Sequence, residues 1–85
     1  MQSLSPKAFE VARAILRGNP DGSWLDLDQL LSKLSYSPSK ESLQFTIRAL
    51  VKRGLVEKKP EEFRRGQNRR ILAPTAKGLR ELRAA

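Results

Sequence analysis

The chain has 85 residues, of which 39% are hydrophobic and 31% charged, a composition typical of a folded domain and unlike a disordered chain. This length predicts one domain, residues 1–85, with a modest core and little room to enclose a substrate cavity. No cysteine is present, so disulfides and thiolate metal sites are excluded and a reducing cytoplasm is the expected compartment. No apolar run is long enough to span a membrane, and we expect no membrane partner.

The net charge of +8 is distributed unevenly along the chain. Residues 1–47 hold five Lys/Arg against five Asp/Glu, whereas residues 48–85 hold twelve against four. Clustered cations gain free energy by releasing the counterions condensed on nucleic acid. The polarised charge therefore indicates a face that binds a polyanion, although a basic protein that is merely soluble would share the same net charge.

The first predicted element is a helix from Pro6 to Arg17. Ser5 is a good cap residue, proline is favoured at the first helical position, and Gly18 is a typical helix stop. The apolar side chains that fall on one side of this helix are Phe9, Val11, Ala12, Ile15 and Leu16. The turn sequence Asn19–Gly22 follows, and then Ser23-Trp24-Leu25 predicts a short strand.

Two further helices are predicted next, joined by a tight turn. Asp26 and Gln29 have the spacing of a capping box, which predicts a second helix of about two turns, and Ser37-Pro38 predicts the start of a third that ends near Arg53. The third helix has a predicted core stripe of Leu43, Ile47, Leu50 and Val51, with Glu41, Phe45, Arg48 and Lys52 on the opposite side. This arrangement is typical of a helix-turn-helix.

The last third of the sequence predicts a hairpin and a closing helix. Leu55–Lys59 and Arg70–Ala73 can form paired strands, and the polar stretch Pro60–Arg69 is interpreted as the loop between them. Thr75 is the expected cap of a final helix over Ala76–Arg83.

This order of elements resembles winged helix-turn-helix proteins, and MarR-type regulators in particular. The resemblance covers nearly the whole chain and is carried by the segments from Ile47 to Val56 and from Asn68 to Gly78. It implies an α+β, mostly helical fold of helix, short strand, two helices, two-stranded wing and C-terminal helix. The first segment is similar to the end of that family's recognition helix, and the second to its arginine-bearing wing strand followed by Thr-x-Lys-Gly. Asn68 stands where that family usually has an aspartate, and the long terminal helices through which it dimerises are not found here.

We expect the third helix, residues 38–53, to read bases in a major groove, because one α-helix fits a B-form major groove. The wing, residues 58–70, is expected to hold the backbone or the minor groove, where arginine suits the negative potential. Four wing arginines cannot help a core, so their mutual repulsion predicts an external partner. Lys58 and Lys59 would add flanking phosphate contacts. The predicted DNA-binding residues are Ser39, Lys40, Ser42, Gln44, Phe45, Arg48, Lys52, Arg64, Arg65, Gln67, Asn68, Arg69 and Arg70.

Three aromatic residues have competing interpretations. Phe45, on the polar side of the third helix, could contact thymine methyl groups, pack against a partner chain, or be buried under the wing loop if the helix phase is misassigned. Trp24 and Tyr36 could stack on single-stranded nucleic acid. Core and turn packing is the interpretation favoured for both, with a phosphate contact left open for Tyr36.

An enzymatic role finds little support, because the chain has no histidine, cysteine or Gly-rich phosphate loop, and neither metal nor cofactor is expected. Asp26 and Asp28 are explained by helix-start electrostatics. We therefore expect a nucleoid-associated, sequence-specific binder of double-stranded DNA that regulates transcription. The alternatives are a plasmid or phage accessory factor for replication, partition or recombination, and a winged-helix module that binds an acidic protein. The sequence leaves open whether one chain or a homodimer binds.

Overall fold

A computed structural model describes residues 4–83 as an α+β arrangement of four helices and a three-stranded antiparallel sheet. The strands lie in the order β1-β3-β2, so β3 is central and β2 is an edge strand. The elements in chain order are α1 (Pro6–Arg17), β1 (Leu25–Asp26), α2 (Leu27–Ser32), α3 (Lys40–Lys52), β2 (Val56–Arg64), β3 (Gln67–Pro74) and α4 (Ala76–Arg83).

Two helices have the bounds predicted from local signals. Helix α1 begins after Ser5, whose hydroxyl accepts a hydrogen bond from the Ala8 N–H, and it ends at Arg17 with Gly18 as its C-cap. Helix α4 begins after Thr75, whose hydroxyl accepts from the Gly78 N–H. In both cases side chains within a few residues of the helix end satisfy its free backbone groups, which is why sequence spacing predicts the boundary.

The capping box of α2 is also confirmed, and the short strand is displaced from its prediction. Asp26 accepts a hydrogen bond from the Gln29 N–H, while the Gln29 side chain accepts from the Asp26 N–H. Strand β1 covers Leu25 and Asp26 instead of residues 23–25, because its register is set by pairing of these residues with Leu72 and Ile71 of β3.

Helix α3 begins two residues later than Ser37-Pro38 predicts. Ser39 is the N-cap, and its hydroxyl accepts a hydrogen bond from the Ser42 N–H. The preceding turn is held to α1, since the Glu10 carboxylate accepts hydrogen bonds from the N–H and the hydroxyl of Ser35. This distant contact fixes the path of the turn, so the first proline signal does not determine the start of the helix.

The predicted loop Pro60–Arg69 is wrong, because both strands continue through most of it. Strands β2 and β3 pair up to Arg64 and Gln67 and are joined by a two-residue turn. In this turn Arg65 and Gly66 have φ of 50° and 83°, the positive values that a type I′ hairpin requires. A bulge between Lys59 and Glu62 contains Pro60, which cannot donate a ladder hydrogen bond.

The core lies between the sheet and the apolar faces of the helices. Three residues of the predicted α3 stripe are buried, whereas Val51 is 36% exposed and does not belong to it. The larger buried side chains of this core are Val11, Ile15, Leu25, Leu30, Leu43, Ile47, Leu50, Leu55, Val56, Leu72 and Leu82.

Helix α4 is fastened to the start of β2 by the Thr-x-Lys-Gly segment. The Thr75 N–H donates to the carbonyl of Leu55 at 3.1 Å, and the Lys77 ammonium donates to the carbonyl of Arg53 at 3.0 Å. Gly78 lies so close to Leu55 that an added Cβ would be 2.0 Å from the Leu55 carbonyl oxygen. The segment therefore holds α4 against the backbone at this end of the sheet.

Candidate nucleic-acid interface

Six cationic side chains of the hairpin and of α3 fall into two groups according to whether a carboxylate lies beside them. Lys40, Lys52 and Lys59 belong to neither group, and of these Lys40 pairs with Asp28 and Lys59 with Glu57. One group lies on the hairpin face that covers β1 and α2 and forms ion pairs there. The other group lies on the face turned towards α3. The two groups have different neighbours because successive residues of a strand point to opposite faces.

We call the first group the arginine clamp, which consists of Arg64, Arg65 and Arg69 with Asp26 and Asp28. Arg65 pairs with Asp26 at 2.6 Å, and Arg69 donates to Asp28. Arg64 is 3.7 Å from Asp26. The side chains of Arg64 and Arg69 are only 15% exposed. These arginines hold the hairpin against the start of α2.

The clamp arginines also donate hydrogen bonds to backbone and side-chain amide oxygens. Arg64 donates to the Trp24 carbonyl at 2.8 Å and to the Gln29 side chain at 3.1 Å, and it pairs with Glu62 at 2.9 Å. The Arg69 Nε donates to the Arg64 carbonyl at 2.9 Å. The expectation that the four wing arginines have no task inside the fold is therefore wrong for three of them.

Asp26 is the buried centre of the clamp, with no solvent exposure. Burial raises the pKa of its carboxyl, but hydrogen bonds from the Gln29 N–H and from Arg65, with the positive charges of Arg65 and Arg69, outweigh it and lower the pKa. Asp28 has a lowered pKa because it accepts from Lys40 and Arg69. Both carboxylates thus do more than provide helix-start electrostatics.

The second group surrounds a concave surface between α3 and the hairpin, which we call the cationic groove. Arg48 of α3, Lys58 of β2 and Arg70 of β3 line it together with Gln44, and all four are exposed. The groove has a volume of about 190 Å³. Its apolar floor consists of Leu27, Ile47 and Leu72.

Secondary-structure periodicity explains why these side chains converge. Arg70 and Leu72 are two residues apart on β3, and Leu72 is directly opposite Lys58. Gln44 and Arg48 are one helical turn apart on α3, so they share a face. Within residues 4–83 none of Arg48, Lys58 and Arg70 forms an ion pair with a carboxylate. This concave surface therefore combines three cations whose charge is not neutralised by a neighbour.

The remaining predicted contact residues lie at the two ends of α3 and beside the hairpin turn. At the start of α3, Ser39 uses its hydroxyl as the helix cap and Lys40 pairs with Asp28 at 3.3 Å. Ser42 is exposed in the same turn. Lys52 is exposed at the other end of the helix, and Gln67 and Asn68 are exposed beside the hairpin turn.

Two phenylalanines are largely exposed, and the sequence pattern predicts a binding role for only one of them. Phe45 is 69% exposed on α3, so the interpretation in which it is buried under the wing loop is wrong. Contact with thymine methyl groups and contact with a partner chain stay open for it. Phe63 is 74% exposed on β2 and was not predicted as a site residue, because residues 60–69 were interpreted as a loop. Strand alternation around an Arg-Gly turn is the signal that could have indicated it.

Trp24 and Tyr36 are half-buried and packed inside the fold. The Trp24 ring lies beside Gly18, where an added Cβ would be 3.1 Å from a ring carbon. The Lys7 ammonium lies 5.3 Å from the centre of the Tyr36 ring. Burial, and to a lesser degree the charge of Glu10, raises the pKa of Tyr36. These contacts agree with the packing interpretation for both residues.

Comparison with protein-family models and with curated proteins gave no match to this chain. In the part of the chain that the structure describes, no helix is both long and apolar enough to cross a membrane.

Proposed function

We propose that this protein is a winged-helix protein that binds double-stranded DNA, with α3 in the major groove and the β2–β3 hairpin on the adjacent backbone or minor groove. The observation that carries the proposal is the cationic groove, where Arg48, Lys58 and Arg70 come from three different elements and none is paired with a carboxylate in the described part of the chain. Duplex DNA presents phosphates at close spacing on both sides of a groove, which suits cations grouped along a concave surface.

The exposed face of α3 supports a reading role for this helix. Gln44 can form two hydrogen bonds with an adenine edge, and Arg48 can do so with a guanine or reach a phosphate. Phe45, on the same exposed part of the helix, offers an apolar surface to a thymine methyl group. Each good bidentate contact contributes roughly 1–3 kcal/mol of discrimination between bases.

The contact residues that we propose divide by role. Arg48, Lys58 and Arg70 bind phosphates, or a guanine in the case of Arg48, and the clamp arginines position the hairpin. From the resemblance to MarR-type regulators we further propose that sequence-specific binding serves transcriptional regulation.

Adjacent arginines of β3 provide a matched test of this proposal. The sequence alone predicts that Arg69 and Arg70 contribute equally to the salt dependence of DNA binding. From their environments we expect Arg70→Gln to reduce the slope of log affinity against log salt concentration by about one unit. We expect Arg69→Gln to leave the slope unchanged and to lower the free energy of unfolding by about 1–2 kcal/mol, because Asp28 and the Arg64 carbonyl lose a donor.

The measurement is fluorescence anisotropy of a labelled duplex at several salt concentrations, with urea unfolding of each variant in parallel. Duplexes selected from a random pool by the wild-type protein serve as probes, since selection also reveals the symmetry of the site. If Arg70→Gln leaves the slope unchanged, the cationic groove is not part of the interface. If the wild-type affinity for duplex DNA does not fall with salt, the proposed function is wrong.

A further inference from the structure

Phe63 is a large, exposed apolar side chain near the turn end of the hairpin. It lies two positions before Arg65 of the Arg65-Gly66 turn and opposite Asn68, and its side chain is 74% exposed. A phenyl group that stays in water contributes almost nothing to folding, because the hydrophobic gain scales with the apolar area that is removed from water.

Strand register places Phe63 on the same side of the hairpin as the cationic groove. Residues directly opposite each other share a face, and so do residues two apart on one strand. Phe63 therefore shares a face with its partner Asn68 and, further along β3, with Arg70. Arg70 lines the groove. The ring thus continues the cationic surface towards the end of the hairpin.

The opposite face of the hairpin is fixed to the body of the protein by the arginine clamp. Glu62 and Arg64 flank Phe63 in sequence and point to that opposite face, where Arg64 is bonded to Trp24 and Gln29. These contacts prevent the strand from rotating to bury the ring. The fold consequently presents the phenyl group outwards in a defined direction, which reduces the entropy lost on binding a partner.

We infer that Phe63 is an apolar wedge that enters the minor groove of duplex DNA and partly unstacks a base step. This inference rests on the proposed function, because α3 in the major groove brings the hairpin to the neighbouring minor groove. Phenylalanine is one of the side chains that architectural proteins insert between base pairs from the minor groove. Cations beside the wedge, such as Arg70, hold the phosphates on either side of the opened step.

Charge argues against a second copy of this chain as the occupant of the Phe63 surface. Each copy carries a net charge of +8, and the face that contains Phe63 also contains Arg70 and Lys58, neither of which forms an ion pair with a carboxylate among residues 4–83. Bringing two such faces together would place like charges side by side, which is unfavourable. A polyanion is the occupant that this surface favours.

The test uses a short A·T-rich duplex with flexible TA steps, in which 2-aminopurine replaces adenine and becomes more fluorescent when it is unstacked. We expect saturating wild-type protein to raise the fluorescence, Phe63→Leu to retain most of the increase, and Phe63→Ala to abolish it. The affinity of Phe63→Ala should fall by about fivefold while its salt slope stays unchanged. Val51→Ala is the control, since it removes apolar area from an exposed position of α3 that does not line the cationic groove, and it should retain the increase.

Each other outcome contradicts the inference in a distinguishable way. If the wild-type protein binds the duplex with salt-dependent affinity but without a fluorescence change, the wedge is wrong and the proposed function stands. An increase that survives in Phe63→Ala assigns the unstacking to another residue. If Phe63→Ala changes the sedimentation behaviour of the free protein, the surface is an interface between copies. No binding of this duplex or of any duplex from the random pool overturns both proposals.

Discussion

Asp26 is a buried residue that makes several structural contacts. It caps α2, its backbone pairs with Ile71 in the sheet, and it binds Arg65 in the hairpin turn. A buried charge is tolerated only when partners compensate for lost hydration, and here a backbone N–H and a guanidinium do so. Arg65 lies in the hairpin turn and adopts a φ of 50°, which is uncommon for a residue other than glycine. Its ion pair with Asp26 helps to hold this conformation.

We expect Asp26→Asn to lower the free energy of unfolding by about 1–3 kcal/mol at neutral pH. Asparagine can still accept the hydrogen bond from the Gln29 N–H, so the helix cap is retained. Its amide removes the negative charge and can place a donor against the donors of Arg65 and Arg64. Urea unfolding followed by circular dichroism measures the change.

Glu61→Gln is the control for this substitution, because it removes the same charge from an exposed position of β2 where the structure gives the carboxylate no ion pair among residues 4–83. Its unfolding free energy should stay within about 0.5 kcal/mol of the wild type. Equal effects of both substitutions would mean that net charge, and not the clamp, determines the loss.

Helix α4 and the hairpin show how elements are positioned by contacts with distant backbone. Gly78 lies inside α4, where glycine destabilises a helix relative to alanine by roughly 1 kcal/mol. The close approach of Leu55 explains its presence, because no side chain fits between the helix and this carbonyl. Packing therefore outweighs helix propensity at this position.

Gly78→Ala should destabilise the protein by about 2 kcal/mol or more, although helix propensity alone predicts a gain. The Cβ would overlap the Leu55 carbonyl, and α4 would have to move away and weaken the Thr75 and Lys77 contacts with the chain before β2. Thermal unfolding of the variant measures this effect. Arg80→Ala, on the exposed side of α4, should change the unfolding free energy by less than about 0.5 kcal/mol. A more stable Gly78→Ala variant would contradict the close packing.

Four carboxylates in the first part of the chain bind either other residues of that part or the hairpin. Glu10 binds the turn at Ser35, Asp21 binds Ser23, and Asp26 and Asp28 bind the hairpin arginines. Hydrogen bonds from Ser35 lower the pKa of Glu10, and those from Ser23 lower the pKa of Asp21. All four carboxyls therefore have folded-state pKa values below their ordinary ones.

The stability of the whole molecule should accordingly fall in acid. A carboxyl whose pKa is lowered by folding stabilises the protein above its unfolded pKa of about 4, and that contribution is lost as the pH falls through the folded value. Protonation also increases a net charge that is already +8. We expect the urea midpoint to be constant near neutral pH and to decrease steadily below about pH 4.5. A midpoint that stays constant down to pH 3 would contradict the linkage, and Asp26→Asn should show a shallower decrease.

The sequence by itself determined the features that depend on neighbouring residues. The bounds of α1 and α4, the capping box of α2 and the uneven distribution of charge follow from caps, periodicity and composition within short segments. The α+β class and the exposure of Phe45 on α3 also agree with these local patterns.

Only the tertiary structure decided which cations are neutralised and how far the hairpin extends. Arg65 meets Asp26 across 39 positions of the chain, and Arg69 meets Asp28 across 41. The contact of Glu10 with Ser35, which fixes the turn before α3, spans 25 positions. Sequence patterns identify charged residues but do not give the three-dimensional distance between them, and the energy of an ion pair depends on that distance and on burial.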